Sequence, residues 1–297
     1  MFSFLPSFIA MPITFTLFCL NLAFCGSIVF LGGLLKFLLP FKKFHQVLFY
    51  PMHATYRLWA LVNYLILISF NQVNITIKGD TDLNTKSWYL LIANHQSWLD
   101  IFVLSYFAYN RIPAPKYFLK DSLKRVPFVG MACWALDMPF MRRYSRSYLK
   151  KNPHLIGKDI ETTKKSCEKF KNTPTTIINF VEGTRFTDEK HRRQNNNFKH
   201  LLTPKASGIA FTMETMGEQF DKVLNVTLLY PQNPGHVMKD MLKGKLKEII
   251  IDVEQITDVD KLRGHYSKDV EFKKEFHRWL TQLWHKKDEK ITNYLSK

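Results

Sequence analysis

The pattern of apolar and polar positions divides the chain into two parts. From Met1 to Leu35 there is no charged side chain, and the apolar run continues to Leu39. That length exceeds the roughly 20 residues that cross a bilayer core. From about residue 73, short β-rich runs alternate with helical or polar stretches. We therefore predict an N-terminal membrane helix followed by an α/β domain with a mixed, largely buried sheet flanked by helices.

The individual elements follow from the same pattern. Short runs rich in β-branched and aromatic residues predict strands at 74–79, 88–93, 116–119, 175–181, 223–230 and 247–256. Helical spacing predicts helices after His95, over 158–172, over 205–217 and over 269–292. The polar, basic stretch 190–200 (KHRRQNNNFKH) predicts a mobile loop.

The N-terminal segment is interpreted as a transmembrane anchor over residues 1–45. Pro6 and Pro12 predict that its helix begins after position 12. No Lys or Arg precedes the apolar run, which disfavours a cleaved signal peptide. Three lysines follow it, between positions 36 and 43. By the positive-inside tendency they place the rest of the chain on the cytoplasmic side of the cell inner membrane.

A second apolar stretch, 58–70, is too short to cross a membrane alone. Periodicity allows either a core helix or a helix lying in the membrane interface, with Arg57, Trp59 and Tyr64 as anchors. Both interpretations stay open for residues 46–72. Residues 73–297 are assigned to the main domain, which ends in a basic helix.

Charge and cysteine content narrow the classes of partner. The 297 residues include 42 Lys and Arg against 25 Asp and Glu, a net charge of +17. Such an excess favours nucleic acid, an anionic lipid surface or phosphorylated substrates as partners. The four cysteines form no CxxC pair, which disfavours a structural zinc site or a disulfide framework.

The stretch NHQSWLD at 94–100 carries the first candidate chemistry. His95 and Asp100 are five residues apart, and on a regular helix they would point about 140° apart. They can meet only if His95 lies in a turn and Asp100 in the first helical turn, which Ser97 as N-cap would produce. Asp100 could equally serve only as a cap. His154 and Asp159 have the same spacing without a preceding strand, which favours the first pair.

The stretch FVEGTR at 180–185 carries the second set of candidate functional residues. Gly183 lets backbone N–H groups approach a ligand closely. Arg185 offers a bidentate fork to phosphate, and Glu182 can accept from a substrate hydroxyl. An isolated EGTR is more often an ordinary turn with a surface salt bridge.

Together, NHQSWLD and FVEGTR resemble the glycerolipid acyltransferase family, which includes the 1-acylglycerol-3-phosphate acyltransferases. Val181 departs from the proline that usually precedes the glutamate. The basic C-terminal extension resembles the bacterial branch related to lysocardiolipin acyltransferases, which leaves the acceptor lipid open. Similar blocks occur in the family's order at 120–130 (KDSLKRVPFVG), 139–143 (PFMRR), 201–208 (LLTPKASG) and 225–231 (NVTLLYP).

The resemblance implies transfer of an acyl group from acyl-CoA or acyl carrier protein to a lysophospholipid hydroxyl. His95 would be the general base and Asp100 would stabilise its imidazolium. The resemblance implies no acyl-enzyme, no metal and no bound cofactor. Anionic membrane lipids would be further partners of the basic surface.

The resemblance also assigns the acceptor's phosphate to a set of charged side chains. These are Glu182 and Arg185, then Arg143, and less surely Lys120 and Lys205. For the oxyanion we predict the backbone N–H groups of Glu182, Gly183 and Thr184. Cys133 has apolar neighbours and no adjacent His, so we interpret it as a buried structural thiol rather than a nucleophile.

Three other functions remain as alternatives. A membrane-anchored, nucleic-acid-associated protein would use the net charge and the helix EFHRWLTQLWHKK, but the chain shows no signature of a nucleic-acid-binding fold. A hydrolase or metal site would need another ligand near His95, and no second His lies at ligand spacing. An interaction scaffold on a degenerate acyltransferase fold is the third.

Overall fold

A computed structural model gives the architecture of the chain. It describes residues 2–39, 41–79, 82–141, 151–152, 161, 164–165, 167–168, 170–171 and 173–296. Most of the helix predicted over 158–172 lies outside the described residues, as do His154, Asp159 and Arg143.

Eight strands are found in the described part of the chain. They are β1 (Asn74–Gly79), β2 (Tyr89–Ala93), β3 (Pro115–Tyr117), β4 (Leu119–Lys120), β5 (Phe140–Met141), β6 (Thr176–Phe180), β7 (Lys222–Leu229) and β8 (Glu248–Ile256). The main sheet has the order β1-β8-β7-β2-β6-β3. Its neighbours are parallel except for the antiparallel pair β7–β8. The short strands β4 and β5 form a separate parallel pair.

The burial of the central strands explains why their sequence predicted them. All five residues of β2 are buried, as are seven of the eight in β7. A strand that is covered on both faces has a nearly continuous apolar sequence. YLLIA is apolar throughout, and VLNVTLL is apolar except for the buried Asn225 and Thr227. The mixed, buried sheet and five of the six predicted strands are confirmed. The strand predicted over 116–119 is divided between β3 and β4, which belong to different sheets. The pair β4–β5 was missed because two residues carry no readable period.

The described helices are α1 (Ser7–Leu38), α2 (Lys42–Phe70), α3 (Leu99–Ala108), α4 (Val129–Ala135), α5 (Asp188–Gln194), α6 (Ala206–Met216), α7 (Val237–Leu242) and α8 (Val270–Leu295). The prediction that the first helix begins after position 12 is wrong. Pro12 lies inside α1, Ala10 is buried and the Ser7 hydroxyl donates to the Lys243 carbonyl. These tertiary contacts hold the first turns in spite of the N–H that Pro12 lacks.

Helix α2 extends well beyond the apolar stretch 58–70 and packs against both of its neighbours. The Asn21 amide of α1 donates to the Asn63 side chain and to the Trp59 carbonyl. The Trp59 and Tyr64 rings pack on rings of α3, with Tyr64 only 3.7 Å from its partner between centroids. The core interpretation therefore holds for this face of α2. Contact of its other face with a membrane stays a prediction.

Helix α1 is long and apolar enough to cross a membrane, with a mean hydropathy of 2.1 over its best window. Part of that window, 39%, is buried within the protein. The remaining surface exposes large apolar side chains, among them Phe8, Phe15, Phe24, Leu31 and Phe37. An exposed apolar face of this size is typical of contact with lipid.

The stretch 190–200 is ordered by the C-terminal helix, so the prediction of a mobile loop is wrong. Its first half belongs to α5, and Phe198 is buried. The Asp288 carboxylate of α8 accepts from the Lys199 and His200 N–H groups, at 2.7 and 2.8 Å. The sequence did not show this contact because its partners are almost 90 residues apart.

Replacing Asp288 with alanine is expected to lower the free energy of unfolding by about 1–3 kcal/mol, because two backbone N–H groups lose a buried charged acceptor. Thermal unfolding of the detergent-solubilised protein measures this loss. Glu289→Ala, which removes an exposed carboxylate from the next position, serves as the control. Equal stability of the two variants would contradict a stabilising role for the hydrogen bonds that Asp288 accepts.

Candidate active site

The candidate site begins where β2 ends, at the turn that carries His95. The preceding Asn94 side chain fixes this turn by pairing with both backbone groups of Leu228 on β7, at 2.8 and 2.9 Å. Ser97 then caps α3, because its hydroxyl accepts from the Leu99 N–H. The Asp100 carboxylate accepts from the Ser97 N–H in return. The predicted reciprocal cap is therefore present.

The cap brings the two predicted catalytic residues into contact. The distance from His95 Nδ1 to Asp100 Oδ2 is 2.7 Å. The same Asp100 oxygen accepts from the Gln96 and Ser97 N–H groups, and its other oxygen accepts from the Tyr230 hydroxyl at 2.6 Å. Asp100 is fully buried, so these donors replace its hydration shell.

Tyr230 is a contact that the sequence reasoning missed. It is the penultimate residue of the NVTLLYP block and follows β7 directly, and its position at the end of a strand was the available signal. Its hydroxyl is completely enclosed, and burial, followed by the charge of Asp100, raises its pKa well above 10. Tyr230 therefore stays protonated and acts as a hydrogen-bond donor to Asp100.

The contact with Asp100 decides which ring nitrogen of His95 can act as a base. Nδ1 faces a carboxylate and must carry the proton, so the lone pair of the neutral imidazole lies on Nε2. The ring stacks on Phe180 with centroids 4.0 Å apart, and 13% of the side chain remains exposed. His95 is therefore oriented from two sides with Nε2 available to a substrate.

Glu182 lies beneath the His95 turn rather than on the surface. It is 1% exposed, and one of its oxygens accepts from the His95 N–H at 3.4 Å and from the Leu202 backbone N–H. Among the described residues, Oε2 has no hydrogen-bond partner. The observed partners give Glu182 a positioning role, and its predicted contact with the substrate stays a prediction.

A second buried charge, Lys287 of α8, lies near Glu182. Its ammonium donates to the Val226 carbonyl of β7. Burial lowers the pKa of Lys287 to about 7, and the attraction of Glu182 opposes this shift. Burial raises the pKa of Glu182 to about 8. The sequence offered no signal for Lys287, because a lysine in a basic helix is usually solvated.

The raised pKa of Glu182 predicts a pH-dependent stability. Between its ordinary value of 4.5 and about 8, the folded state holds a proton that the unfolded state has released. The contribution of Glu182 is therefore complete below pH 4.5 and falls as the pH rises. Lys287 opposes this trend only above about pH 7. We expect Glu182→Gln to remove a stability loss between about pH 5 and 7, measured as unfolding midpoints, whereas the exposed-site control Glu189→Gln keeps it.

Positive side chains gather beside the dyad. The Arg185 guanidinium lies 4.4 Å from the Trp98 ring centroid. Lys190 donates to the Thr184 hydroxyl and to the Arg185 carbonyl, both at 2.9 Å. Burial lowers the pKa of Lys190, and the charges of Arg185 and Lys120 lower it further. These three cations form a region suited to a phosphate, and Lys190 was missed because it belongs to the predicted loop.

The other predicted site residues are placed as follows. Lys120 is exposed at the end of β4. Lys205 is exposed at the start of α6, and its N–H donates to the Val181 carbonyl. The Gly183 N–H donates to the Phe180 carbonyl at 2.9 Å, since the positive φ of +68° closes a tight turn. This N–H is therefore engaged within the turn, and its role as an oxyanion donor stays a prediction.

An apolar cavity of about 280 Å³ lies near the dyad, and Trp98, on which Arg185 packs, forms part of its wall. The cavity is lined by α1, α2, α3 and α4, and by Tyr117 of β3. The Tyr117 ring is 6.2 Å from Phe180, which in turn stacks on His95. Cys133 lies in the wall, and burial raises the pKa of its thiol to about 12. That shift fits the structural thiol of the sequence analysis rather than a nucleophile.

Within the described ranges, no group of three or more His, Cys, Asp or Glu side chains is arranged to hold a metal ion. The described side chains offer a carboxylate-supported imidazole base with a cationic region and an apolar cavity nearby.

Comparison with known proteins agrees with this geometry. Residues 74–214 match the family model described as Acyltransferase. Lysocardiolipin acyltransferase 1 of Mus musculus is 24% identical over 295 residues, covering 95% of this chain and 73% of that protein. The 2-acyl-1-lysophosphatidylinositol acyltransferase of Saccharomyces cerevisiae is 25% identical over 248 residues, covering 71% and 62%.

The fold has a counterpart among solved structures. The crystal structure of the 1-acyl-sn-glycerophosphate acyltransferase of Thermotoga maritima superposes with a TM-score of 0.58. The likeness covers 98% of this chain and 97% of that one, at 16% sequence identity. The two proteins therefore share the same α/β architecture, including the helices that precede the sheet.

Proposed function

We propose that this chain is an acyltransferase of the glycerolipid type, which moves a fatty acyl group from a thioester to the hydroxyl of a lysophospholipid. The donor would be acyl-CoA or acyl carrier protein. The observation that carries the proposal is the His95–Asp100 contact of 2.7 Å, with the cationic region and the apolar cavity nearby.

In the proposed reaction, Nε2 of His95 removes the proton of the acceptor hydroxyl while that oxygen attacks the thioester carbonyl. The resulting imidazolium is stabilised by Asp100. Collapse of the tetrahedral intermediate breaks the carbon–sulfur bond, and the departing thiolate takes the proton from His95. The products are an ester and a free thiol, and the reaction uses no acyl-enzyme, metal or cofactor. A positioned base of this kind contributes about 10²–10⁴ in rate.

The cationic region and the apolar cavity would supply the binding contacts. Arg185, Lys190 and Lys120 would hold the phosphate of the acceptor, joined by Lys205 and by Arg143, which lies outside the described residues. The acyl chain would enter the apolar cavity, whose wall exposes almost no polar surface. Burying methylene groups there favours binding by about 0.8 kcal/mol each.

The cellular setting is part of the proposal. Helix α1 would anchor the protein in the inner membrane of a bacterium, and the lysines after α1 would keep the catalytic domain on the cytoplasmic side. The excess of positive charge would hold the domain against anionic lipids.

The proposal is tested by incubating the detergent-solubilised protein with acyl-CoA and acyl carrier protein thioesters and a panel of lysophospholipids. Mass spectrometry of the lipid products should show a diacyl lipid from at least one pair. Folded protein that forms no product with any pair would refute the proposal.

Ala132→Phe, which fills the cavity, should shift the preference toward shorter acyl chains, whereas Ala54→Phe on the exposed side of α2 should not.

A further inference from the structure

A second cavity, of about 100 Å³, lies at the opposite edge of the sheet. Its lining includes Lys36, His45, His53, Lys116, Asp137 and Thr175, a set that we call the basic pocket. Unlike the cavity beside the dyad, the basic pocket is bordered by charged and polar side chains. Its volume has room for several water molecules or for one small anion.

The course of β6 separates the basic pocket from the catalytic dyad. Thr175 directly precedes β6, whereas Glu182 follows it by two residues. The strands β2, β3 and β6 are parallel, so the pocket lies at their amino-terminal edge and His95 at their carboxyl-terminal edge. At roughly 3.3 Å per residue, the two places are about 20 Å apart. The basic pocket is therefore distant from the catalytic dyad, although Leu136 lines both this pocket and the apolar cavity.

Lys116 is the feature of this pocket that points to a ligand. It is 7% exposed, and its ammonium donates to the Leu136 carbonyl at 2.6 Å. That carbonyl is its one hydrogen-bond partner among the described residues, although an ammonium has three N–H donors. Burial lowers its pKa to about 8, so the side chain is still charged at neutral pH. A buried cation with free donors is costly unless an acceptor or an anion joins it.

Among the described residues, the neighbouring groups leave the charge of Lys116 without a counter-charge in hydrogen-bonding contact. Lys36 lies in the pocket wall and pairs with Asp137 at 2.8 Å, which leaves Lys116 without a carboxylate at hydrogen-bonding distance in the described residues. Nδ1 of His53 faces the Phe49 carbonyl at 2.9 Å. Burial lowers the pKa of His53 to about 3, and the charges of Lys116, Arg57 and Lys36 contribute to the shift.

Exposed apolar side chains lie close to the pocket in the chain, between the end of α1 and the first turns of α2. Phe41, Val47 and Tyr50 are 67%, 66% and 75% exposed. They alternate with His45 and Phe49, which line the pocket. Cations beside exposed aromatic and aliphatic side chains are typical of a protein surface that meets lipid headgroups.

We propose that the basic pocket binds a phosphoryl group, supplied by an anionic phospholipid headgroup or by free phosphate. Two donors of Lys116 and the ammonium of Lys36 would take its oxygens. If the source is a lipid, its acyl chains would lie along Phe41, Val47 and Tyr50. The site would then hold the amino-terminal edge of the sheet against the membrane, separately from the acceptor lipid at the dyad.

The test measures thermal unfolding of the full-length protein in detergent with three ligands: inorganic phosphate, dioctanoyl phosphatidylglycerol, and dioctanoylglycerol, which has the same chains and no phosphoryl group. A ligand that binds only the folded state raises the midpoint as its concentration rises. We expect stabilisation by at least one of the first two ligands and none beyond detergent by the third. Equal shifts with phosphate and with the phospholipid identify free phosphate as a sufficient ligand, and a shift with the phospholipid alone identifies the lipid.

Variants assign the effect to the pocket. Lys116→Met should weaken binding about tenfold or more, because charged hydrogen bonds are lost. Asp137→Asn, which removes a repelling carboxylate, should strengthen it and gives a readout even if Lys116→Met folds poorly. Lys274→Met, on the exposed side of α8, should keep the whole shift. Because the cationic region beside the dyad would also bind phosphate, Arg185→Met removes that contribution, and the shift that remains should depend on Lys116. A shift that is lost in Arg185→Met but kept in Lys116→Met would overturn the proposal, as would equal shifts with all three ligands.

Discussion

Replacing His95 with alanine is expected to lower kcat for acyl transfer by about 10²- to 10⁴-fold, the usual contribution of a positioned general base. His95 lies in a turn fixed by Asn94, its ring stacks on Phe180 and its Nδ1 contacts Asp100. No other described histidine has this arrangement of partners. The KM for the lysophospholipid should change little, since the cations that would bind its phosphate remain in place.

The control for this variant is His236→Ala, which removes an exposed imidazole at the start of α7. Both variants should unfold at nearly the temperature of the unmodified protein. Product formation by mass spectrometry gives kcat for all three proteins. If His95→Ala retains more than about a tenth of the activity, His95 is not the base.

The strands were predictable because their composition reflects their burial. YLLIA is apolar throughout and TTIINFV is rich in β-branched and aromatic residues, since both strands are buried within the sheet. The start of α1 was not predictable in the same way. Local rules place a helix boundary at Pro12, and only the packing of Ala10 and the Ser7 contact with Lys243 override them. A rule based on neighbours in the chain cannot include a partner more than 200 residues away.

The same limit decides which contacts of the candidate site were predictable from the sequence. The contact between His95 and Asp100 was predictable because both lie within one turn and one cap, five residues apart. Tyr230 reaches Asp100 across 130 positions, and Lys287 approaches Glu182 from the last helix. The sequence around Tyr230 and Lys287 does not indicate these contacts, because the contacts depend on burial in the folded protein. Lys190 was missed for a related reason, since a polar, basic stretch resembles a solvated loop until Asp288 and Phe198 are seen to fix it.

Asp100→Asn is expected to lower kcat by roughly 10²- to 10³-fold while the protein stays folded. Oδ2 of Asp100 accepts from His95, Gln96 and Ser97, so the amide must place its oxygen there. The amide nitrogen then faces the Tyr230 hydroxyl, which can turn and accept its hydrogen bond. The geometry and the tautomer of His95 are thereby kept, and the variant removes only the negative charge that stabilises the imidazolium.

The size of this effect follows from the electrostatics of a partly screened pair. Two unit charges about 4 Å apart attract by about 4 kcal/mol at an effective dielectric constant of about 20, which corresponds to roughly 10³ in rate.

Asp258→Asn, which removes an exposed charge, is the matched control, and kcat and unfolding midpoints are measured for both. Activity close to that of the unmodified protein in Asp100→Asn would mean that Asp100 serves only as the cap of α3. A loss shared with Tyr230→Phe but accompanied by a large fall in stability would point to the hydrogen-bond network instead. Loss of rate at constant stability, confined to Asp100→Asn, is the result that a charge-stabilised imidazolium requires.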